Sequence, residues 1–196
     1  MNFFAHLVLA EPTVESRVGN LLGDFARGID QGSLSAEVLQ GLINHRQIDQ
    51  FTDQHVEVRQ MKRLFSERRR RFSGIALDVL FDHYLLNHWH QFASQPKAQV
   101  IDGLYDDLIA GQPLMPQRMQ QVTRRIVESD WFGSYESLEG VSYALDRIAG
   151  RIRFNNEFAG VGEELVLHYP RFEAGFRLFF ADLTKQFPSP LIDSGN

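Results

Sequence analysis

Residues 45–53 read "HRQIDQFTD" and place His45, Asp49 and Asp53 at intervals of four residues. Side chains three or four residues apart lie above one another on one face of an α-helix. An apolar stripe that includes Leu42 continues at this spacing into His45, so a core-facing stripe is expected to turn polar here. A buried carboxylate is strongly unfavourable unless a cation or hydrogen-bond donors compensate it. The stretch therefore predicts a helix and a partner for its polar side chains.

Helical periodicity continues through almost the whole chain, whereas strand-like alternation is short and weak. Ser35 and Ser73 stand where N-caps belong, and Pro170 is expected to kink or divide the last helix. The sequence predicts an all-α, single-domain, multi-helix bundle over residues 1–187 and a disordered tail over 188–196. The predicted helices cover 14–30, 35–51, 54–71, 74–92, 97–110, 116–129, 136–152 and 162–186.

The composition supports a single folded domain and narrows the function classes. The chain has 196 residues, 43% hydrophobic content, sixteen Phe and no Cys, which suits a reducing cytoplasm. The apolar start lacks the basic region of a signal peptide, and no apolar run approaches the roughly 20 residues of a membrane span. A net charge of −5 argues against general nucleic-acid binding. We therefore expect a cytoplasmic protein with neither a membrane nor a nucleic-acid partner.

Three further apolar segments carry Asp or His where a helix core would carry Leu or Val. Carboxylates alone suit Ca²⁺ or Mg²⁺, whereas carboxylates with imidazoles suit Mn²⁺, Fe²⁺, Co²⁺ or Zn²⁺ held between facing helices. Each residue alone has a structural explanation, such as a core histidine, a helix cap or a carboxylate paired with arginine. Together they favour a transition-metal hydrolase site. These residues are His6, Asp24, Asp78, Asp82 and His83.

Four sequence blocks resemble, in order and spacing, the motifs of the acyl carrier protein phosphodiesterase family. They are "NFFAHLVLA" (2–10), "GNLLGDF" (19–25), "HRQIDQFTD" (45–53) and "LDVLFDHYL" (77–85). The resemblance implies an all-helical, HD-domain-like fold, from an atypical branch of the HD phosphatase and phosphodiesterase superfamily. HD enzymes carry an adjacent His-Asp pair as ligands, whereas this chain has "DH" at 82–83, which leaves the ligand set open.

The resemblance also implies a reaction, a cofactor and a partner. The reaction is hydrolysis of the phosphodiester that joins 4′-phosphopantetheine to a serine of holo-acyl carrier protein, which is an acidic partner. The implied cofactor is a divalent metal, Mn²⁺ first and Mg²⁺, Fe²⁺ or Co²⁺ otherwise. A metal-activated water would attack phosphorus, and His6 or His83 would give the serine oxygen its proton. The predicted metal ligands are Asp24, His45, Asp49, Asp78 and Asp82, and the predicted catalytic groups are His6, His83 and Asp53.

A basic run at residues 59–72, "RQMKRLFSERRRRF", holds seven basic residues in a protein that is acidic overall. It is either a solvated helix end or a patch that steers the acidic carrier protein. Arg46, next to His45, is a candidate phosphate clamp. The predicted substrate-binding residues are Arg46, Arg59, Arg68, Arg69, Arg70 and Arg71.

Two other functions fit the same sequence features. One is an HD-type nucleotide phosphohydrolase, because a metal site recognises phosphate rather than the group behind it. The other is a non-enzymatic helical interaction protein whose His and Asp side chains are paired in the core. The oligomeric state does not follow from residue spacing.

Overall fold

The computed structural model describes residues 1–154 and 156–193, and within these residues the chain is helical and contains no strand. One continuous hydrophobic core joins the helices, which confirms the predicted all-α single-domain bundle. The HD-like relationship stays a prediction. The helices are α1 (Phe3–Val8), α2 (Val14–Leu22), α3 (Ala36–Gln54), α4 (Val56–Lys62), α5 (Glu67–Arg70), α6 (Ser73–Asn87), α7 (Trp89–Phe92), α8 (Lys97–Ala110), α9 (Gln117–Glu128), α10 (Trp131–Ser134), α11 (Leu138–Ala149), α12 (Gly162–Leu167) and α13 (Tyr169–Gln186), with 3₁₀ turns at Gly23–Phe25, Gln31–Ser33 and Gln112–Leu114.

Helices α2 and α3 share the most extensive helix–helix contact in the described chain. Two glycines allow their backbones to approach closely. A Cβ atom at Gly19 would lie 2.2 Å from the carbonyl oxygen of Val38, and one at Gly41 would lie 2.4 Å from that of Ser16. Any larger side chain at either position would push the two helices apart. This contact fixes α3, which carries His45 and Asp49, against the segment that carries Asp24.

Helix α6 runs through the interior and is apolar on nearly every side, as expected for a helix surrounded by protein. Its Phe81 ring packs against Phe176 and Phe179 of α13, with ring centroids 5.6 and 5.2 Å apart. Aromatic pairs at these separations add to the stabilisation from burial. Three of the sixteen phenylalanines thus form the contact between α6 and α13. No helix among the described residues combines the length and the hydropathy needed to cross a membrane.

Several predicted helices are shorter or divided in the structure. The helix predicted at 14–30 ends at Leu22 and passes into a 3₁₀ turn. The helix predicted at 54–71 is two helices, α4 and α5, with a break before Ser66. At that break the Ser66 hydroxyl donates to Glu164 Oε1 at 2.7 Å, so a tertiary contact replaces the helical hydrogen bonds that periodicity alone would predict.

The capping predictions have mixed outcomes. Ser35 caps α3, because its Oγ accepts the backbone N–H of Val38 at 3.3 Å. Ser73 is not an N-cap; it is the first residue of α6, and its hydroxyl donates to the carbonyl of Arg70 at 2.7 Å. Pro170 lies in the first turn of α13, directly after the end of α12, so the prediction that it divides the last helix is confirmed.

The structure differs from the predicted disordered tail over residues 188–193. Ser189 and Ile192 are buried, and the Ser189 hydroxyl donates to the carbonyl of Val8. The backbone N–H of Asp193 donates to the carbonyl of Phe92 at 2.7 Å. One apolar side chain and these hydrogen bonds hold the segment against the bundle, although its Pro and Ser content predicts disorder. Residues 194–196 lie outside the described part of the chain.

Arg69, predicted to bind the substrate, is a structural residue. Its side chain is almost fully buried, and its guanidinium donates to the carbonyls of Glu157 and Ala159 at 3.1 and 2.8 Å and to Glu164 Oε1 at 3.0 Å. Its fork of donors ties α5 to the loop before α12 and to α12 itself. The sequence prediction fails here because a run of arginines does not show which member points inward.

The other arginines of the run are exposed, but two of them are already engaged. Arg68 lies 3.8 Å from Glu157, and the Arg71 guanidinium lies 5.0 Å from the ring centroid of Phe154. Arg59 and Arg70 are exposed. One exposed arginine of the run thus has a carboxylate nearby and another an aromatic ring, and the steering role of the run stays a prediction.

Arg69→Ala is expected to lower the free energy of unfolding by about 2–4 kcal/mol, because two carbonyls lose their donor and Glu164 loses the cation that pairs with it, keeping only its hydrogen bonds with Ser66. Arg70→Ala is the matched control, because Arg70 is exposed and makes one long contact, 3.3 Å to the carbonyl of Phe65. Its cost should stay within about 0.5 kcal/mol. Urea denaturation of both variants measures the difference, and equal stabilities would contradict the structural role of Arg69.

Candidate active site

Two histidines and one aspartate from α1 and α3 meet at one point. His6 Nε2 lies 3.1 Å from Asp49 Oδ1, and His45 Nε2 lies 3.0 Å from Asp49 Oδ2. The two imidazole rings are stacked, with centroids 4.0 Å apart. His45 and Asp49 come one helical turn apart on α3, as their spacing predicts, and α1 adds His6 from the opposite side. Asp49 therefore bridges the two rings.

Both histidines are buried while Asp49 is partly exposed. Burial lowers the pKa of His6 to about 3, against the opposing hydrogen bond with Asp49, so this ring is neutral. Burial would raise the pKa of Asp49, but the contacts with His45 and His6 outweigh it and lower that pKa. The cluster thus pairs a carboxylate with the neutral form of the His6 imidazole, which is the form that binds metal ions.

The donor set fits a divalent metal ion. His6, His45 and Asp49 each offer a ligand atom within 4.8 Å of the other two. In both histidines Nδ1 is buried and has no hydrogen-bond partner among the described residues. A buried imidazole nitrogen without a partner is unfavourable, and mixed nitrogen and oxygen donors suit Mn²⁺, Fe²⁺, Co²⁺ or Zn²⁺. The nitrogens next to Asp49 are Nε2 in both rings, so an ion bound in the cluster would take the place of their contacts with Asp49.

A cation already lies beside the cluster in the form of the backbone ammonium group of Met1. It lies 3.0 Å from Asp49 Oδ1 and 3.2 Å from Asp78 Oδ1. Burial alone would lower the pKa of this ammonium, but Asp78 and Asp49 outweigh burial and raise the pKa to about 11. These contacts show that Asp49 and Asp78, on α3 and α6, together attract positive charge.

Asp82, predicted as a metal ligand, has a different partner in the structure. It is fully buried on α6, and its two oxygens accept the backbone N–H groups of Phe4 and Ala5, each at 3.0 Å. Burial raises its pKa to about 7 even though these two hydrogen bonds oppose the shift. Asp82 therefore holds the first turn of α1 and, through it, positions His6.

Gly23 provides the space that His45 occupies. A Cβ atom at Gly23 would lie 2.0 Å from Cδ2 and 2.2 Å from Nε2 of the His45 ring. Contacts this short cannot exist, so any side chain at position 23 must displace the imidazole. The motif "GNLLGDF" thus contributes two close-packed glycines, Gly19 and Gly23, as well as Asp24, a role that its residue types alone do not reveal.

Gly23→Ala is expected to lower metal affinity and kcat at least about tenfold, a magnitude typical of disturbing the groups that position metal ligands. The physical reason is displacement of His45 Nε2 from Asp49. Gly103→Ala is the control, since a Cβ there would meet no atom within 4 Å. Metal content and turnover of both variants provide the measurement. Wild-type values for Gly23→Ala would show that the His45 position is not required.

The remaining predicted site residues are not brought to the cluster. His83 Nδ1 lies 2.8 Å from the carbonyl oxygen of Tyr135 and its Nε2 lies 2.9 Å from the Tyr169 hydroxyl, so both ring nitrogens are engaged away from Asp49. Asp53 is exposed and accepts from Lys62 Nζ at 2.7 Å. Arg46 is exposed and donates to Gln31 at 3.1 Å. The structure therefore gives these three residues no part in the His–Asp cluster.

A pocket of about 630 Å³ opens above Met1. Its floor includes Asp24 and Asp78, and Phe3 and Trp131, whose ring centroids lie 6.4 Å apart, form part of one side. Asp24 is solvent-accessible, yet enclosure by the pocket raises the pKa of its carboxyl. Of the predicted ligands, Asp24 and Asp78 thus line the pocket, whereas Asp49 is joined to it through the ammonium group of Met1, which is a lining residue.

Four arginines line the same pocket, and none of them is among the substrate-binding residues predicted from the sequence. They are Arg118, Arg125, Arg147 and Arg151. The available signal was their spacing: Arg118 and Arg125 are seven residues apart on α9, and Arg147 and Arg151 are four residues apart at the end of α11. Each pair can therefore lie on one helical face. Basic residues scattered at this spacing are common on solvated helices, so the spacing alone does not indicate a site.

The fold and the site together define an all-α protein whose His–Asp cluster is joined through Met1 to an arginine-lined pocket, an arrangement that suits a phosphoester hydrolase. The family profile described as acyl carrier protein phosphodiesterase matches residues 1–183. The chain belongs to the acyl carrier protein phosphodiesterase family.

Curated relatives support this membership along almost the full chain. The acyl carrier protein phosphodiesterase of Pectobacterium atrosepticum is 36% identical over 181 residues, covering 92% of this chain and 94% of the relative. That of Klebsiella pneumoniae is 31% identical over 186 residues, covering 94% and 96%, and that of Serratia proteamaculans is 33% identical over 195 residues, covering 95% and 97%. No solved structure matches the chain significantly.

Proposed function

We propose that this protein hydrolyses the phosphodiester between 4′-phosphopantetheine and the serine of holo-acyl carrier protein, giving apo-acyl carrier protein and 4′-phosphopantetheine. The observation that carries the proposal is the convergence of His6, His45 and Asp49, joined through the Met1 ammonium group to a pocket lined with arginines. Membership of the family, whose relatives carry the name acyl carrier protein phosphodiesterase, supports the choice of substrate. The cytoplasmic location is part of the same proposal.

The reaction is proposed to depend on a divalent metal held by His6, His45 and Asp49. Asp24 and Asp78 are further ligand candidates from the pocket side. The mixed donor set favours Mn²⁺, Fe²⁺ or Co²⁺ over Mg²⁺, and Mn²⁺ is the expected ion. When bound, such an ion lowers the pKa of water towards neutrality and offsets negative charge on the phosphoryl oxygens.

Other side chains position the proposed metal ligands or bind the phosphate. Asp49 orients both imidazoles, and Asp82 holds α1 so that His6 stays against Asp49. The arginines favour entry of a phosphate into a pocket whose floor is otherwise acidic. His6, predicted as the proton donor, is reassigned as a ligand because of its place in the cluster.

Intact-mass analysis of holo-acyl carrier protein, incubated with this protein and Mn²⁺, tests the proposal. The expected result is loss of the whole phosphopantetheine group, and no loss with EDTA. An unchanged mass, together with hydrolysis of members of a nucleotide panel, would favour the nucleotide phosphohydrolase. Protein purified without chelators that contains no stoichiometric transition metal and leaves every substrate intact would favour the non-enzymatic interaction protein.

A further inference from the structure

The arginines of the pocket come from two helical faces with the same spacing. On α9 the pocket-lining positions include Arg118, Val122 and Arg125. On α11 and the turn after it they include Ala144, Arg147 and Arg151. Intervals of three and four residues keep the first set on one side of α9 and keep Ala144 and Arg147 on one side of α11, and Arg151 lies in the turn just after α11. The pocket therefore has two helical walls, and each wall presents two guanidinium groups.

None of these four guanidinium groups forms an ion pair with Asp or Glu among the described residues, although Asp24 and Asp78 line the same pocket. Arg147 donates to the Tyr143 hydroxyl at 3.0 Å, and its guanidinium lies 5.6 Å from the centre of that ring. The buried Arg69, by contrast, is paired with Glu164 at 3.0 Å. Like charges gathered in one pocket repel one another unless an anion joins them, so the arrangement favours an anionic partner.

The pocket-lining arginines are spread over two helical segments and offer more cationic groups than one phosphodiester has charges. Arg118 and Arg125 are seven residues apart, which corresponds to about 10 Å along a helix at 1.5 Å per residue. The guanidinium groups of one helix can therefore bind separate anionic groups, more than a single phosphodiester offers. Tyr143, beside Arg147, is 63% exposed, and exposed Tyr and Arg are enriched at protein–protein contacts. The surface therefore fits an extended acidic face of a protein.

We infer that Arg118, Arg125, Arg147 and Arg151 form the docking surface for the acidic face of the carrier protein that bears the phosphopantetheine arm. The inference rests on the proposed function for the identity of the partner. The carboxylates Asp24 and Asp78 on the pocket floor would repel an acidic protein, and the four arginines offset that repulsion. Docking thus takes place at the pocket, and not at the basic run of residues 59–72.

The test measures binding of apo-acyl carrier protein, which has no phosphodiester, so that the protein surfaces are examined without turnover. Arg118→Glu/Arg125→Glu is compared with Arg124→Glu/Arg171→Glu, which has the same charge change at exposed positions outside the pocket. We expect Kd to rise at least about tenfold in the first variant and to stay within about threefold of wild type in the second. Arg118→Gln/Arg125→Gln should give an intermediate Kd, and circular dichroism should show wild-type helicity in all variants.

Three results would overturn the docking surface: no measurable binding by the wild type, equal weakening in both Glu variants, or weakening in neither. Rising salt should weaken wild-type binding more than binding by Arg118→Glu/Arg125→Glu, because exposed charges are screened. Intact-mass analysis of holo-acyl carrier protein separates this inference from the proposed function. If the wild type binds the carrier protein but the mass of holo-acyl carrier protein never changes, the proposed hydrolysis is wrong. The docking surface is then still judged by the Kd values.

Discussion

Asp49→Asn is expected to lower kcat/KM for holo-acyl carrier protein by at least about a hundredfold and to abolish stoichiometric metal binding. Asp49 lies within 3.1 Å of His6 and within 3.0 Å of His45, so a single substitution removes one donor and the group that orients the other two. Asn has nearly the same shape, and Asp49 is partly exposed, so the fold should be retained. Steady-state kinetics with Mn²⁺ and elemental analysis measure the two effects.

Asp53→Asn is the matched comparison on the same helix, one turn further along. Asp53 is exposed and contacts Lys62, so the substitution should change kcat/KM by no more than about threefold, in line with small effects of surface substitutions. Helical spacing alone predicts the same role for both carboxylates, whereas the structure predicts a loss of activity only for Asp49→Asn. The two variants therefore test which prediction holds. Comparable losses in both would show that Asp53 also acts in the reaction.

The helical spacing predicts part of the site correctly because it reports which face of a helix a side chain occupies. It places His45 and Asp49 together, and the structure has them 3.0 Å apart. It cannot report what lies opposite that face. Asp82 occupies a buried stripe, as expected; the spacing suggests a metal as its partner, whereas in the structure its two oxygens accept N–H groups of α1. A buried carboxylate needs compensation in either case, so sequence spacing cannot distinguish the two.

The pocket arginines show a second limit of sequence reasoning. The sequence predicts substrate-binding arginines within residues 59–72, because basic residues that are adjacent in the chain are easy to recognise as a cluster. In the structure, the buried Arg69 of that run is used within the fold. The pocket instead joins arginines of α9 and α11, and this juxtaposition depends on how two helices pack rather than on local composition. The all-α class, by contrast, follows from periodicity along each segment.

Asp82→Leu is expected to lower the free energy of unfolding by about 2–5 kcal/mol, because two buried backbone N–H groups lose their acceptors. Those groups belong to Phe4 and Ala5 at the start of α1. Loosening of α1 also moves His6, so turnover should fall even at temperatures where the variant is folded. Thermal and urea denaturation measure the stability, and kinetics well below the melting temperature measure the second effect.

Asp82→Asn provides the sharper comparison, because it keeps the shape and cannot ionise. Burial raises the pKa of Asp82 to about 7, above the value of about 3.9 expected in the unfolded chain. The folded protein thus retains a proton that the unfolded chain releases, and this contribution to stability is present below about pH 4 and is lost as pH rises through about 7. The destabilisation caused by Asp82→Asn should therefore be larger near pH 5 than near pH 8. A destabilisation independent of pH, measured by urea denaturation, would contradict the raised pKa, and wild-type stability at both pH values would contradict the role of Asp82 in holding α1.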